Sequence, residues 1–79
     1  MSPTIFRHGG YRFFFFSREE SRMHVHVTCA DGEAKFWLEP KIELARNFKL
    51  SKAKLAEVQG LIEEHADAFK TAWQRHFAR

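Results

Sequence analysis

The chain has 79 residues, 44% hydrophobic and 15% aromatic with nine Phe, a composition that folds rather than stays disordered and that limits it to one domain over 1–79. Thirteen Lys and Arg against ten Asp and Glu leave a formal charge of +3 with the five His neutral, a modest bias toward an anionic partner. One cysteine excludes an intramolecular disulfide and fits a reducing, cytoplasmic compartment; no basic-then-apolar leader is expected at the N-terminus, and the apolar run Phe13-Phe14-Phe15-Phe16 is too short to span a membrane.

Pro3 to Arg7 and Tyr11 to Phe16, separated by His8-Gly9-Gly10, read as a first hairpin. A strict two-residue glycine loop sets Arg7 opposite Arg12, an unfavourable like-charge pair that leaves the register open. Pro3 suits the start of an edge strand, whereas Tyr11 to Phe16 is apolar on both faces except at Arg12 and reads as a central strand. Ser17 to Met23 is polar and reads as a surface loop.

The main hairpin follows. His24-Val25-His26-Val27-Thr28-Cys29 and Ala34-Lys35-Phe36-Trp37-Leu38-Glu39 alternate with a period of two around Asp31-Gly32, a dipeptide that favours a type I′ turn. A two-residue loop pairs Val27 with Phe36, His26 with Trp37 and His24 with Glu39. Alternation then separates an apolar face (Val25, Val27, Cys29, Ala34, Phe36, Leu38) from a chemically active one (His24, His26, Thr28, Lys35, Trp37, Glu39).

Glu39-Pro40-Lys41 reads as a turn, since Pro cannot continue a central strand. Residues 41–50 fit either a last strand or a short helix; the alternation of Ile42, Leu44, Phe48 and Leu50 favours a strand through about Arg46. Ser51 is a good N-cap, with Leu50 and Leu55 placed for a hydrophobic staple. From Lys52 to about Ala78, Leu55, Val58, Leu61, Ile62, His65, Phe69, Ala72, Trp73, His76 and Phe77 form a helical stripe. Such a helix is about 40 Å long against about 20 Å for a six-residue strand, so it overhangs the sheet unless it bends or breaks. On the overhang, Trp73 and Phe77 are expected to form an interface. The expected fold is therefore α+β: an antiparallel β-meander of four or five strands over about 3–46, with one long C-terminal helix, about 52–78, across one face.

Gly9 to Ser17, the His24–Val27 strand, Glu33 to Pro40, Leu44-Ala45-Arg46-Asn47 and the stretch from Glu64-His65 to Trp73 together resemble a small bacterial family, domain-of-unknown-function family 4160, over nearly the whole chain. Many relatives carry Pro-Pro before the His-x-His; here Arg22-Met23 stands in that place. Members are frequently encoded beside a second small domain, in some proteins joined to a DNA-binding helix-turn-helix. The resemblance thus implies a toxin–antitoxin-like pair with this chain as the toxin, and a neighbour-encoded antitoxin-like partner. It brings no established activity.

The His24/His26 pair supports three readings. Two imidazoles at i and i+2 on one strand face can share a metal ion, with Glu39 as the candidate third ligand. They can instead supply metal-free acid–base chemistry on RNA, with Lys35 or Arg12 stabilising phosphate and Trp37 stacking a base. The plain structural reading is two half-exposed histidines that finish a sheet face. No metal or other cofactor is favoured, because only two ligands are secure. His65, within the apolar stripe, reads as a core histidine rather than a third member of the pair. Lys49, Lys52 and Lys54 at the helix start read either as a solvated basic face or as an anion-binding corner for a phosphate backbone or an acidic antitoxin segment. The leading function is accordingly a toxin-like protein acting as a small metal-independent ribonuclease through His24, His26 and Lys35. The alternative is a non-enzymatic interaction module that binds itself and its neighbour-encoded partner.

Overall fold

A computed structural model of the chain describes residues 4–15 and 22–77. Pro3, Phe16, most of the Ser17–Met23 loop and the helix end at Ala78 lie outside the described residues. Five antiparallel strands, β1 (Thr4–His8), β2 (Tyr11–Phe14), β3 (His24–Thr28), β4 (Glu33–Trp37) and β5 (Glu43–Phe48), form one meander in the order β1-β2-β3-β4-β5. Two helices follow, α1 (Lys52–Glu64) and α2 (Ala66–His76). The architecture is α+β. Residues 43–48 take the strand alternative, two residues beyond the expected end.

The first hairpin closes on a Gly9-Gly10 turn with Gly9 at φ 59°, and Arg7 does face Arg12. Moving the register by one residue would turn Phe6 and Phe13 out of the core, which costs far more than repulsion between two solvated guanidinium groups. Arg12 finds a stabilising contact over the Phe14 ring, 4.7 Å from its centroid.

The main hairpin corrects the expected turn. Thr28 pairs with Glu33, Val27 with Ala34, His26 with Lys35, Val25 with Phe36 and His24 with Trp37. The loop is therefore four residues, Cys29 to Gly32, closed by a Cys29 N–H to Gly32 carbonyl bond of 2.9 Å. The shift is two residues, so each side chain keeps its expected face while taking a new partner. Gly32 is needed for a different reason than a left-handed turn: a Cβ there would collide with the backbone carbonyl of Phe48 at the end of β5.

One sheet face is the core. Phe13, Phe15, Val25, Val27, Phe36 and Leu38 are fully buried, with Val58 and Ile62 from α1 and Phe69 and Trp73 from α2 closing over them. Tyr11 links sheet to helix, its hydroxyl donating to Glu57 Oε1 at 2.8 Å. Before α1, Lys49 takes φ 71°, a left-handed conformation unfavourable for a side chain other than Gly. Asn47 holds that turn with two 3.0 Å bonds, donating to the Leu50 carbonyl and accepting from the Leu50 N–H. Ser51 caps α1 as expected, accepting from the Lys54 N–H at 3.2 Å.

The single long helix is also corrected. It breaks at His65 (φ −113°, ψ 24°), which ends α1 and begins α2. Bonds from the His65 N–H to the Leu61 carbonyl and from the Phe69 N–H to the His65 carbonyl keep the backbone paired through the break. Helices of 13 and 11 residues span about 20 and 16 Å, the length of the strands beneath them. The overhang disappears. Trp73 is buried against Phe15, and Phe77 lies against Trp73, with ring centroids 5.2 and 4.3 Å apart respectively. Neither residue requires a second protein on geometric grounds.

Two expectations follow. Gly32→Ala should lower stability by about 1–3 kcal/mol, the scale of overpacking, because a β5 carbonyl must move; a urea midpoint equal to that of the wild type would contradict the close approach. Burial first, and then the bond to the Glu57 carboxylate, raise the Tyr11 pKa above its ordinary 10.0. The stability contributed by the neutral phenol is thus fully present below pH 10.0 and is lost as pH rises through the raised value. Lys54, raised chiefly by its hydrogen bond to Asp31, gives a decline of the same sign. The test is therefore the difference between urea midpoints of wild type and Tyr11→Phe across that range, and parallel curves would defeat it.

Candidate functional site

The helices cover one face of the sheet, and the other carries the charged and aromatic side chains. Strand pairing arranges them in transverse rows. Phe14, His26, Lys35 and Arg46 form one row across β2 to β5, and Arg12, Thr28, Glu33 and Phe48 form the next. Neighbours within a row have Cβ atoms about 5 Å apart, and diagonal neighbours stand about 7 Å apart. The two rows enclose a depression of about 140 Å³ lined by His26, Glu33, Ala34, Lys35, Arg46 and Phe48.

The expected site residues separate at this point. His26 and Lys35 face each other at the depression, and His26 stacks on Phe14 with centroids 5.6 Å apart and planes at 21°. His24 shares their face but is wholly buried. Its Nδ1 lies 2.6 Å from the Arg22 carbonyl, which can only accept, so Nδ1 carries the proton. Its ring is enclosed by His26, Trp37 and Trp73, at centroid distances of 5.1, 5.6 and 5.1 Å. Trp73 therefore touches Phe15 on the helix-covered side and His24 on the other, wrapping the end of the sheet. His24 is a structural element of the face rather than an exposed reagent. The expectation of two half-exposed histidines holds for His26 alone.

Trp37 is half-buried beneath two cations, with Arg22 Cζ 4.1 Å and Lys35 Nζ 4.6 Å from its ring centroid. Arg22 is held there by a 3.0 Å bond to the Glu39 carbonyl and a 3.5 Å ion pair with Glu43. Glu39 thus contributes backbone, and the register puts Trp37 rather than Glu39 opposite His24. Among the described residues no three His, Cys, Asp or Glu side chains gather as a metal site. Lys54 pairs with Asp31 Oδ2 at 3.0 Å, Lys49 lies over Phe48 at 5.3 Å and Lys52 is exposed. His65 is half-buried and packs on Phe6, 4.7 Å between centroids, apart from the His24 and His26 pair.

Sequence reasoning missed Arg22, Glu33, Arg46 and Phe48. Arg46 and Phe48 were legible only in part, because the ladder slips between Lys35 and Phe36, so that Lys35 faces Arg46 while Phe36 faces Leu44. Leu44 therefore belongs to the Phe36 side, whereas Phe48 pairs with Glu33 on the open face and stays 58% exposed.

A family model described as Domain of unknown function (DUF4160) matches residues 10–74, from the first glycine turn to the residue after Trp73. The chain belongs to that family. No curated protein and no solved structure matches it. The DUF4160 match takes in the depression and the whole His24 cage. No helix among the described residues is long and apolar enough to cross a membrane.

The two histidines should respond differently to truncation. His24→Ala should cost about 2–4 kcal/mol, as for deletion of a large buried side chain that also orphans a carbonyl, and His26→Ala about 1 kcal/mol or less. Thermal and urea unfolding check this, and equal losses at the two positions would contradict the cage.

Proposed function

We propose that this DUF4160 domain binds single-stranded RNA across the open face of its sheet and cleaves it without a metal, as the toxin-like member of a pair with a neighbour-encoded antitoxin. The observation that carries the reading is the depression, where His26, Lys35 and Arg46 stand in one row beside Phe48, on the face the helices leave uncovered. Lys35 supplies a point charge and Arg46 a planar fork, both suited to phosphate oxygens. Phe14, Trp37 and Phe48 supply rings on which unpaired bases can stack. His26 is the imidazole placed among these groups, and histidine is the side chain suited to proton exchange near neutral pH. In the proposed step His26 takes the proton of a ribose 2′-hydroxyl, and the 2′-oxygen forms a bond to phosphorus as the P–O5′ bond breaks. A water proton goes to the departing 5′-oxygen, leaving a 2′,3′-cyclic phosphate. Lys35 and Arg46 stabilise the charge that grows on the phosphoryl oxygens.

A second reading, a binding module without catalysis, is favoured by Leu44 (41% exposed) and Phe48 on the edge strand β5. An exposed edge with apolar side chains is a template for strand addition by another protein.

The test combines binding and cleavage. The folded protein, free of any partner, should bind labelled single-stranded RNA with an affinity that falls steeply with salt, and Lys35→Ala and Arg46→Ala should each flatten that slope by about one unit. In excess EDTA it should yield 2′,3′-cyclic phosphate ends that His26→Ala reduces by about 10²-fold or more. Binding without cleavage would remove the catalytic half of the reading. Absence of RNA binding at low salt would leave the edge-strand module.

A further inference from the structure

We propose that the depression between β4 and β5 is a base pocket selective for guanine, with Glu33 as the specificity-determining residue. The inference rests on the RNA-binding reading above. The depression, about 140 Å³, is open at the exposed Glu33, Arg46 and Phe48, so it receives the edge of a base rather than the whole purine. Phe48 opposes Glu33 in the ladder and presents an exposed ring beside the opening, where a planar base can stack. The polar lining is one imidazole, one carboxylate and two cationic side chains, His26, Glu33, Lys35 and Arg46.

That combination is unusual for a surface that binds a polyanion. A carboxylate on such a face repels phosphate, and Glu33 forms no ion pair with any of the described residues, although Lys35 is its i+2 neighbour on the same face. An acceptor of two hydrogen bonds is useful there if the ligand brings two adjacent donors. Guanine does so through N1–H and the N2 amino group, and it presents O6 and N7 as acceptors for Lys or Arg on its other edge. Adenine offers one amino donor beside an acceptor nitrogen. Cytosine offers an amino donor beside an acceptor, and uracil one N–H between two carbonyls. Each of these sets a lone pair against one carboxylate oxygen. A bidentate donor pair with the carboxylate and a cation on O6/N7 therefore select guanine by chemistry that the other three bases cannot satisfy together.

The experiment is equilibrium binding of fluorescently labelled six-nucleotide RNAs, all uridine or carrying one central G, A or C, at low salt. Wild type should bind the G oligonucleotide about tenfold more tightly than the others. Glu33→Gln, an exposed substitution whose fold is checked by circular dichroism, should bring the G and A affinities within about twofold. It should also tighten the uridine oligonucleotide, since a negative charge leaves the face. Equal binding of all four by wild type, or a G preference that survives Glu33→Gln, would overturn the guanine pocket while leaving RNA binding intact. Failure of the folded wild type to bind any of the four would overturn the RNA reading, and the pocket with it.

Discussion

Burial of the Phe13, Phe15, Val25, Val27 and Phe36 face beneath two short helices decides what the remainder of the molecule can do. A meander of five short strands has two faces, and 24 helical residues are enough to seal one of them. Each large apolar side chain placed there gains about 1.5–3 kcal/mol, which exceeds the cost of every irregularity the packing imposes. The Arg7–Arg12 pair, the left-handed Lys49 and the break at His65 are such irregularities, each tolerated because the alternative would expose a Phe or a Trp. Segregation of polar side chains onto the second face follows from the period-two geometry of the strands. No separate device is required to collect His26, Lys35, Arg46 and Trp37 on one side.

The break at His65 links the two faces. Because α2 turns back within the length of the sheet, Trp73 arrives at the end of β2 and β3, where it meets Phe15 on one side and His24 on the other. His24 is then fixed by three rings and by its bond to the Arg22 carbonyl, and through that bond it anchors the residue that holds Trp37. A chain of contacts thus runs from the core helix through His24 to the cation–aromatic cluster on the open face. A face carried on strands and held by such contacts suits preorganised recognition better than a loop-borne site does.

Much of this was legible in the sequence, and the failures share a cause. Alternation identified the hairpin, its two faces and the core set around Val25 and Phe36, because the period of a strand is a local property. The turn at Asp31-Gly32 was misread because its length answers to a distant constraint, the β5 carbonyl that crowds Gly32. The same holds at Arg46 and Phe48, where the slip of β5 against β4 reassigns side chains between the faces. The helix break left no Gly or Pro signature, since Gly60 lies within α1 and His65 marks the break. The mismatch of about 40 Å of helix with about 20 Å of strand did show that something must give way, but not that the helix would break at His65. Burial of His24 was likewise invisible, because one of the two tryptophans that enclose it, Trp73, comes from the far end of the chain.

The open face carries an internal consistency that bears on the proposed function. Each of its rings already holds a cation: Arg12 over Phe14, Arg22 and Lys35 over Trp37, and Lys49 over Phe48. Such contacts are worth about 0.5–1 kcal/mol at exposed sites, enough to keep ring and cation together but weak enough to yield. A single-stranded nucleotide brings both a phosphate for the cation and a base for the ring, and stacking of a base on an aromatic side chain is worth about 1–3 kcal/mol. On the proposed reading, binding exchanges one modest contact for two stronger ones at each ring. The cations are stationed beside the positions that phosphates would take, so little side-chain entropy is lost in the exchange. A protein partner adding a strand to β5 would engage the edge and the Leu44 side chain but leave Trp37 and Phe14 with their cations undisturbed. The distribution of cation–aromatic pairs over the face, from β2 to the end of β5, therefore matches an extended strand of nucleotides better than it matches a contact confined to one edge.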